Sequence, residues 1–170
     1  MGLGKTVQVI AVISALLGKT GTGRDHIVLE KRKRNIREFK RELQKLQMDS
    51  WLGIASFKSK DERLREFKES LALPAKLPIL LIVPASVLDN WAYEFELWGH
   101  FFVVMYRDSE RDDALEAIEF SQAEVMVMGH TLFGKPEHFA RLNEIPWKLC
   151  VIDEFHVFKV GIVSLSIVRG

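Results

Sequence analysis

Ile79-Leu80-Leu81-Ile82-Val83-Pro84-Ala85-Ser86-Val87-Leu88-Asp89-Asn90-Trp91-Ala92-Tyr93-Glu94-Phe95-Glu96-Leu97-Trp98 changes period halfway along, and that change decides the fold. Ile79 to Val83 is continuously apolar and is stopped by Pro84, the pattern of a strand buried on both faces of a parallel sheet. From Val87 the apolar residues recur at helical steps instead. Trp91, Phe95 and Trp98 then share one face of an amphipathic helix that Gly99 closes, and all three are expected in the core. Working outward, the same alternation repeats. Phe101 to Tyr106, Val125 to Met128 and Leu149 to Ile152 are strand-like runs, while Asp112 to Phe120 and Glu137 to Asn143 have helical patterning. Upstream, Val7 to Leu17 has the apolar content of a buried helix. Strands alternating with helices predict an α/β domain, a parallel sheet flanked by helices on both faces.

The chain has 170 residues, 48% of them apolar and 28% charged, enough for one domain with a real core and too apolar for wholesale disorder. Lys and Arg number 24 against 23 Asp and Glu, so no global charge selects a partner. No apolar run approaches the ~18 residues of a membrane span, and Cys150 is alone, as suits a reducing compartment. A soluble, intracellular domain is expected. Charge is nevertheless uneven. Residues 18–77 hold 16 Lys/Arg and 9 Asp/Glu, whereas the rest holds 8 and 14. This segment is expected to be a charged helical insert. Ile36, Phe39, Leu43 and Leu46 mark one helix and Leu64, Phe67 and Leu71 a second over Lys60 to Leu73. Its Lys31-Arg32-Lys33-Arg34 run fits a nuclear-localisation or phosphate-binding element, or simply a solvated helix face, since Glu38 and Glu42 follow.

The two ends carry the chemistry. Gly2-Leu3-Gly4-Lys5-Thr6 precedes an apolar helix and matches the second half of a phosphate-binding loop. Glycines let backbone N–H groups close on phosphate oxygens, and the helix N-terminus adds its positive end. Lys5 then neutralises the β- and γ-phosphates and the Thr6 hydroxyl ligates Mg²⁺. The same residues also fit an N-myristoylation pattern or the start of a short secretory signal. At the other end, Leu149-Cys150-Val151-Ile152-Asp153-Glu154 is an apolar strand delivering two carboxylates at its C-terminal end, where α/β sheets place ligand groups. Alone it could be an acidic turn. Paired with a Gly-Lys-Thr loop 148 positions earlier, it points to a nucleotide hydrolase, with Asp153 on Mg²⁺ and Glu154 activating water.

Leu80 to Trp91, continuing to Glu94-Phe95 and Trp98, resembles motif Ia of the Snf2 branch of superfamily-2 helicase-like ATPases, a V-x-P-x-S…N-W…E-F…W pattern. Gly2-Leu3-Gly4-Lys5-Thr6-Val7-Gln8 is similar to that family's motif I, and Asp153-Glu154-Phe155-His156 to its D-E-x-H motif II. The long spacing between motifs I and Ia resembles the repair-associated, Cockayne-syndrome-B-like group. The resemblance implies part of an N-terminal RecA-like lobe of a nuclear DNA-translocating ATPase, using ATP and Mg²⁺ and acting on duplex DNA or nucleosomes with a second ATPase lobe, away from any membrane. It assigns nucleotide binding to Gly2, Leu3, Gly4, Lys5 and Thr6, the metal to Thr6 and Asp153, catalysis to Lys5 and Glu154, DNA contact to Ser86 and Thr131, and coupling to His156.

Departures from the family pattern bear on those roles. Phe155 stands where a small residue is usual. Val127-Met128-Gly129-His130-Thr131-Leu132 matches the family's T-T-Y-E-T-L only at Thr131 and Leu132. Ser86 could instead cap the following helix. Nothing resembles motif III, the strand that feeds motif I is missing, and residues 160–170 match no family segment. A truncated lobe is therefore expected, with unpaired sheet edges and little or no hydrolysis of its own. The alternative is a catalytically inactive product that binds DNA or protein through the insert. The histidines lie too far apart in sequence to suggest a zinc site.

Overall fold

The computed structural model describes residues 4–53, 62, 65–66, 77–119 and 122–154. Four strands form one parallel sheet: β1 (Ile79–Val83), β2 (Val103–Tyr106), β3 (Val125–Gly129) and β4 (Leu149–Ile152), in the spatial order β2-β3-β1-β4. Ile79 to Val83 align with Val125 to Gly129 on one side, and Ile79 to Ile82 with Leu149 to Ile152 on the other. The two central strands, β1 and β3, are buried at every position, which is why they are continuously apolar. Among the described residues β2 and β4 are the edges. All four residues of β4 are half-exposed.

Helices cover both faces. On one side α1 (Lys5–Leu17) and α3 (Leu88–Trp98, entered by a 3₁₀ turn at Ala85–Val87) bury Ile10, Ile13, Leu17, Trp91 and Phe95 against Leu81, Val83, Val125 and Val127. On the other, α4 (Arg111–Glu119), the single turn α5 (His130–Phe133) and α6 (Pro136–Asn143) enclose Tyr106, Leu115, Met126, Met128, Leu142 and Trp147. Trp147 is fully buried and donates its indole N–H to the Leu142 carbonyl at 2.7 Å, so the polar end of a large apolar ring is satisfied. Tyr106 pairs with His138 across the same core, hydroxyl to Nδ1 at 2.9 Å, and burial raises the phenol's pKa. Partial burial likewise pushes the Cys150 thiol up to about 11, so it stays protonated at neutral pH.

The insert begins as predicted. Helix α2 (Gly23–Trp51) buries Leu29, Phe39 and Leu46, with Ile36 and Leu43 half-buried on the same face. Most of the second predicted helix, Lys60 to Leu73, lies outside the described residues, as do the tail 160–170 and the two residues that follow α4, Phe120 and Ser121. Two expectations change. Arg32 is not on a solvated face: it is 3% exposed, donates to the Gln122 carbonyl at 3.0 Å and lies 3.7 Å from Glu124. Trp98 is 53% exposed, with its indole N–H on Glu94, because α3 ends before its third aromatic turns inward. At the next residue the chain passes so close to Phe101 that a Cβ on Gly99 would lie 2.5 Å from its ring.

Candidate functional site

The first turn of α1 is built for an anion. Gly4 sits at φ 122°, a conformation that only glycine adopts without strain, and its carbonyl accepts the Gln8 N–H at 2.9 Å to start the helix. The first turn holds no acidic side chain, so the helix itself does not offset the positive end of its dipole. Lys5 is exposed and Thr6 half-buried at that end. The helix then runs antiparallel to the strands. Its far end is tied to their N-terminal side by Lys148 Nζ donating to the Leu16 carbonyl at 2.9 Å and by Lys19 on Glu124 at 2.7 Å.

At the C-terminal end of β4 the Asp153 N–H donates to the Ile82 carbonyl at 2.8 Å, extending the ladder one residue past the strand. Asp153 is half-buried, and Glu154 is exposed with φ 54°. A left-handed conformation at a non-glycine residue costs about 1–3 kcal/mol and is characteristic of functional turns. Lys5, Thr6, Asp153 and Glu154 line one cavity of about 410 Å³, joined there by Gln8, Pro84 and Ile152. Its remaining wall is apolar, made by Val9, Val12, Val87, Trp91, Leu149 and Val151 between α1 and the β4 edge. Such a size and mixture suits a small-molecule ligand.

The donor set fits a nucleotide with Mg²⁺. An ammonium and a helix N-terminus complement phosphate, while a hydroxyl and a carboxylate are the hard oxygen donors Mg²⁺ takes in small number. Gly2, Leu3 and His156 lie outside the described residues.

Ser86 and Thr131 do not line the cavity but lie beside it. Both are exposed, and each follows the C-terminal end of one of the paired strands β1 and β3, where Val83 aligns with Gly129. The N-cap of α3 is Val87, so Ser86 does not fill the capping position. Sequence reasoning missed His130. Its Nε2 donates to the Asp153 carbonyl at 2.8 Å, joining the Thr131 turn to the carboxylate turn. A histidine at a strand end was the available signal, hidden by the absence of metal-ligand spacing. The apolar wall was missed too, because Val9, Val12 and Trp91 look like ordinary core positions in sequence.

Residues 1–166 match the SNF2-related domain. The chain is 28% identical over 159 residues to the mouse DNA excision repair protein ERCC-6-like 2, a stretch that covers 94% of this chain and 8% of that protein. It is 29% identical over 160 residues to Switch 2 of Arabidopsis thaliana, covering 94% of this chain and 13% of that one. Over 83 residues, 48% of this chain, it is 36% identical to the ATP-dependent helicase brm of Drosophila melanogaster, of which it covers 5%. The chain thus spans between 5% and 13% of the length of these relatives. With its match extending from residue 1 to residue 166, the chain belongs to the SNF2-related domain family.

Proposed function

We propose that the chain forms the nucleotide-binding part of an N-terminal ATPase lobe, binding MgATP at the cavity between α1 and β4 and serving an ATP-driven, DNA-translocating machine of the remodelling or repair type. One observation carries this reading: Lys5 and Thr6 from the start of the chain meet Asp153 and Glu154 from its far end around a single cavity. The relatives' names, an ATP-dependent helicase and a DNA excision repair protein, support it.

In this reading Lys5 and the N-terminal amides of α1 hold the β- and γ-phosphates, and Gly4 keeps side-chain atoms out of their way. Thr6 and Asp153 would hold Mg²⁺, which when bound draws charge from the phosphates. Glu154, exposed at the mouth of the cavity, orients water and accepts its proton. His130 positions the Asp153 turn through its carbonyl and links it to Thr131, where with Ser86 a DNA phosphate is contacted. That link offers a path by which DNA at one turn biases the carboxylates at the next. Duplex DNA, nucleosomes, a second lobe and a nuclear setting belong to the same proposal.

The test is equilibrium binding of ATP with and without Mg²⁺, for the native chain beside Asp153→Asn. Mg²⁺ should tighten binding in the native chain and lose most of that effect in the variant. Binding that is equally Mg²⁺-independent in both would remove Asp153 from the metal and overturn the assignment.

A further inference from the structure

The buried face of α2 packs along α4, with Arg32 tied to the residues that lead into β3. Arg32 reaches Gln122 and Glu124, Phe39 and Leu46 are buried, and Lys40 pairs with Asp113 at 2.9 Å. The opposite face is different in kind. Lys31, Arg34, Arg37, Arg41 and Lys45 are all exposed. At 3.6 residues per turn they fall within about 120° of arc, and at 1.5 Å per residue they extend over about 21 Å. Within that arc, between positions 31 and 45, Glu38 is the one carboxylate and there is no apolar side chain. Glu30, just before it, is held by Lys33 at 3.1 Å, which keeps the Glu30 pKa low.

We propose that this stripe is a contact surface for a nucleic-acid backbone, built from residues distinct from those that line the candidate nucleotide site. Charge complementarity selects the partner. A row of cations at steps of about 4.5–6 Å along a helix matches a polymer with regularly repeated phosphates, whose affinity comes from releasing counterions. A protein partner of comparable strength would need aromatic or aliphatic anchors at the centre of the surface, and the stripe offers none. The fixed inner face holds the cations in place, so binding orders little beyond side chains. The stripe offers no Asn or Gln for adenine edges, and its evenly spaced cations match the phosphate repeat, so the backbone is its main contact.

The experiment is fluorescence anisotropy of a labelled mixed-sequence duplex with the 170-residue chain over a series of salt concentrations. Arg34→Gln/Arg41→Gln/Lys45→Gln is compared with the charge-preserving Arg34→Lys/Arg41→Lys/Lys45→Arg. Neutralising three phosphate contacts should lower the slope of log affinity against log salt by about 2–3. The charge-preserving triple should keep the native slope, and Lys5→Ala should leave it unchanged, which separates this surface from the nucleotide reading. If circular dichroism shows that the triple has lost its fold, Arg41→Gln alone carries the test with a slope change of about 1. An unchanged slope in the glutamine variants, or displacement of the duplex by poly-glutamate at equal charge concentration, would overturn the proposal, the latter by making the stripe an acidic-protein surface.

Discussion

Gly4 and Glu154 are the two residues whose backbones depart from ordinary geometry beside the candidate site. Gly4 at φ 122° and Glu154 at φ 54° stand at opposite ends of the sequence, Glu154 lining the cavity and Gly4 directly before Lys5, which also lines it. For Gly4 the departure has a direct consequence. An alanine there would meet no crowding, its nearest neighbour being Gln8 Nε2 at 3.9 Å, so the whole penalty of Gly4→Ala is conformational. We expect about 1–2 kcal/mol, expressed as a shift of the first turn of α1 and a loss of nucleotide affinity of roughly tenfold at little cost in melting temperature. Calorimetric titration beside a thermal melt checks the split. That Lys5 and Thr6 meet Asp153 and Glu154 at one cavity was foreshadowed in the sequence, where the proposed phosphate and Mg²⁺ chemistry admits few residue types at fixed spacing. The strained φ of Glu154 and the His130 bond to the Asp153 carbonyl were not, since both depend on how two distant turns meet.

At the scale of elements, the strands and the helices that follow them were legible to within a few residues. Continuous apolar runs such as Ile79–Val83 have no competing reading next to Pro84, and buried parallel strands require them. The limit was at element ends. Trp98 lies on the predicted helix face but beyond the point where that face meets the sheet, and Arg32 sits in a basic run whose solvation depends on a glutamate 92 positions away. The turn between α1 and α2 shows how such ends are fixed. Gly18 closes α1 in the left-handed conformation, and Asp25 then accepts the Thr20 and Gly21 N–H groups, both at 2.7 Å, folding the connection back. Burial acts to raise the Asp25 pKa, but these two amides outweigh it and the carboxyl titrates below its ordinary 3.8. A depressed folded pKa means stability that is present above the unfolded value and lost as pH falls through the folded one. Asp25→Asn should therefore cost about 1 kcal/mol at neutral pH, with the difference from the native chain shrinking below about pH 4. Denaturant unfolding at pH 7 and pH 3 measures both numbers; an equal difference at the two values would mean that the charge of Asp25 contributes nothing.

For the molecule as a whole, one buried carboxylate gathers three parts of the chain. Glu124, 3% exposed, takes Lys19 from the end of α1 at 2.7 Å, lies 3.7 Å from Arg32 of α2 and accepts the Phe102 N–H at 3.0 Å beside β2. Removing it strands two cations in a poorly solvated place, so Glu124→Ala should cost about 3–5 kcal/mol and release α2 from the sheet. Hydrogen exchange would locate that release: amides of α2 and the end of α1 should lose protection ahead of β1 and β3, whereas uniform loss would show that the insert is no separate unit. The same arrangement divides the molecule into two working ends. Lys5, Thr6, Asp153 and Glu154 meet at the C-terminal end of the strands, and Arg32 near the start of α2 is clamped at the N-terminal end.

The claim on which the rest depends is that the start of α1 and the end of β4 form one phosphate-binding site. Calorimetric titration of ATP with Mg²⁺ into the purified chain, beside Lys5→Ala, tests it most directly. Lys5 is exposed at the helix end, so its removal leaves the fold intact and removes one charge-assisted contact to phosphate. We predict saturable binding by the native chain and at least tenfold weaker binding by the variant, with adenosine affected in neither. Equal ATP affinity in the two proteins would contradict the account.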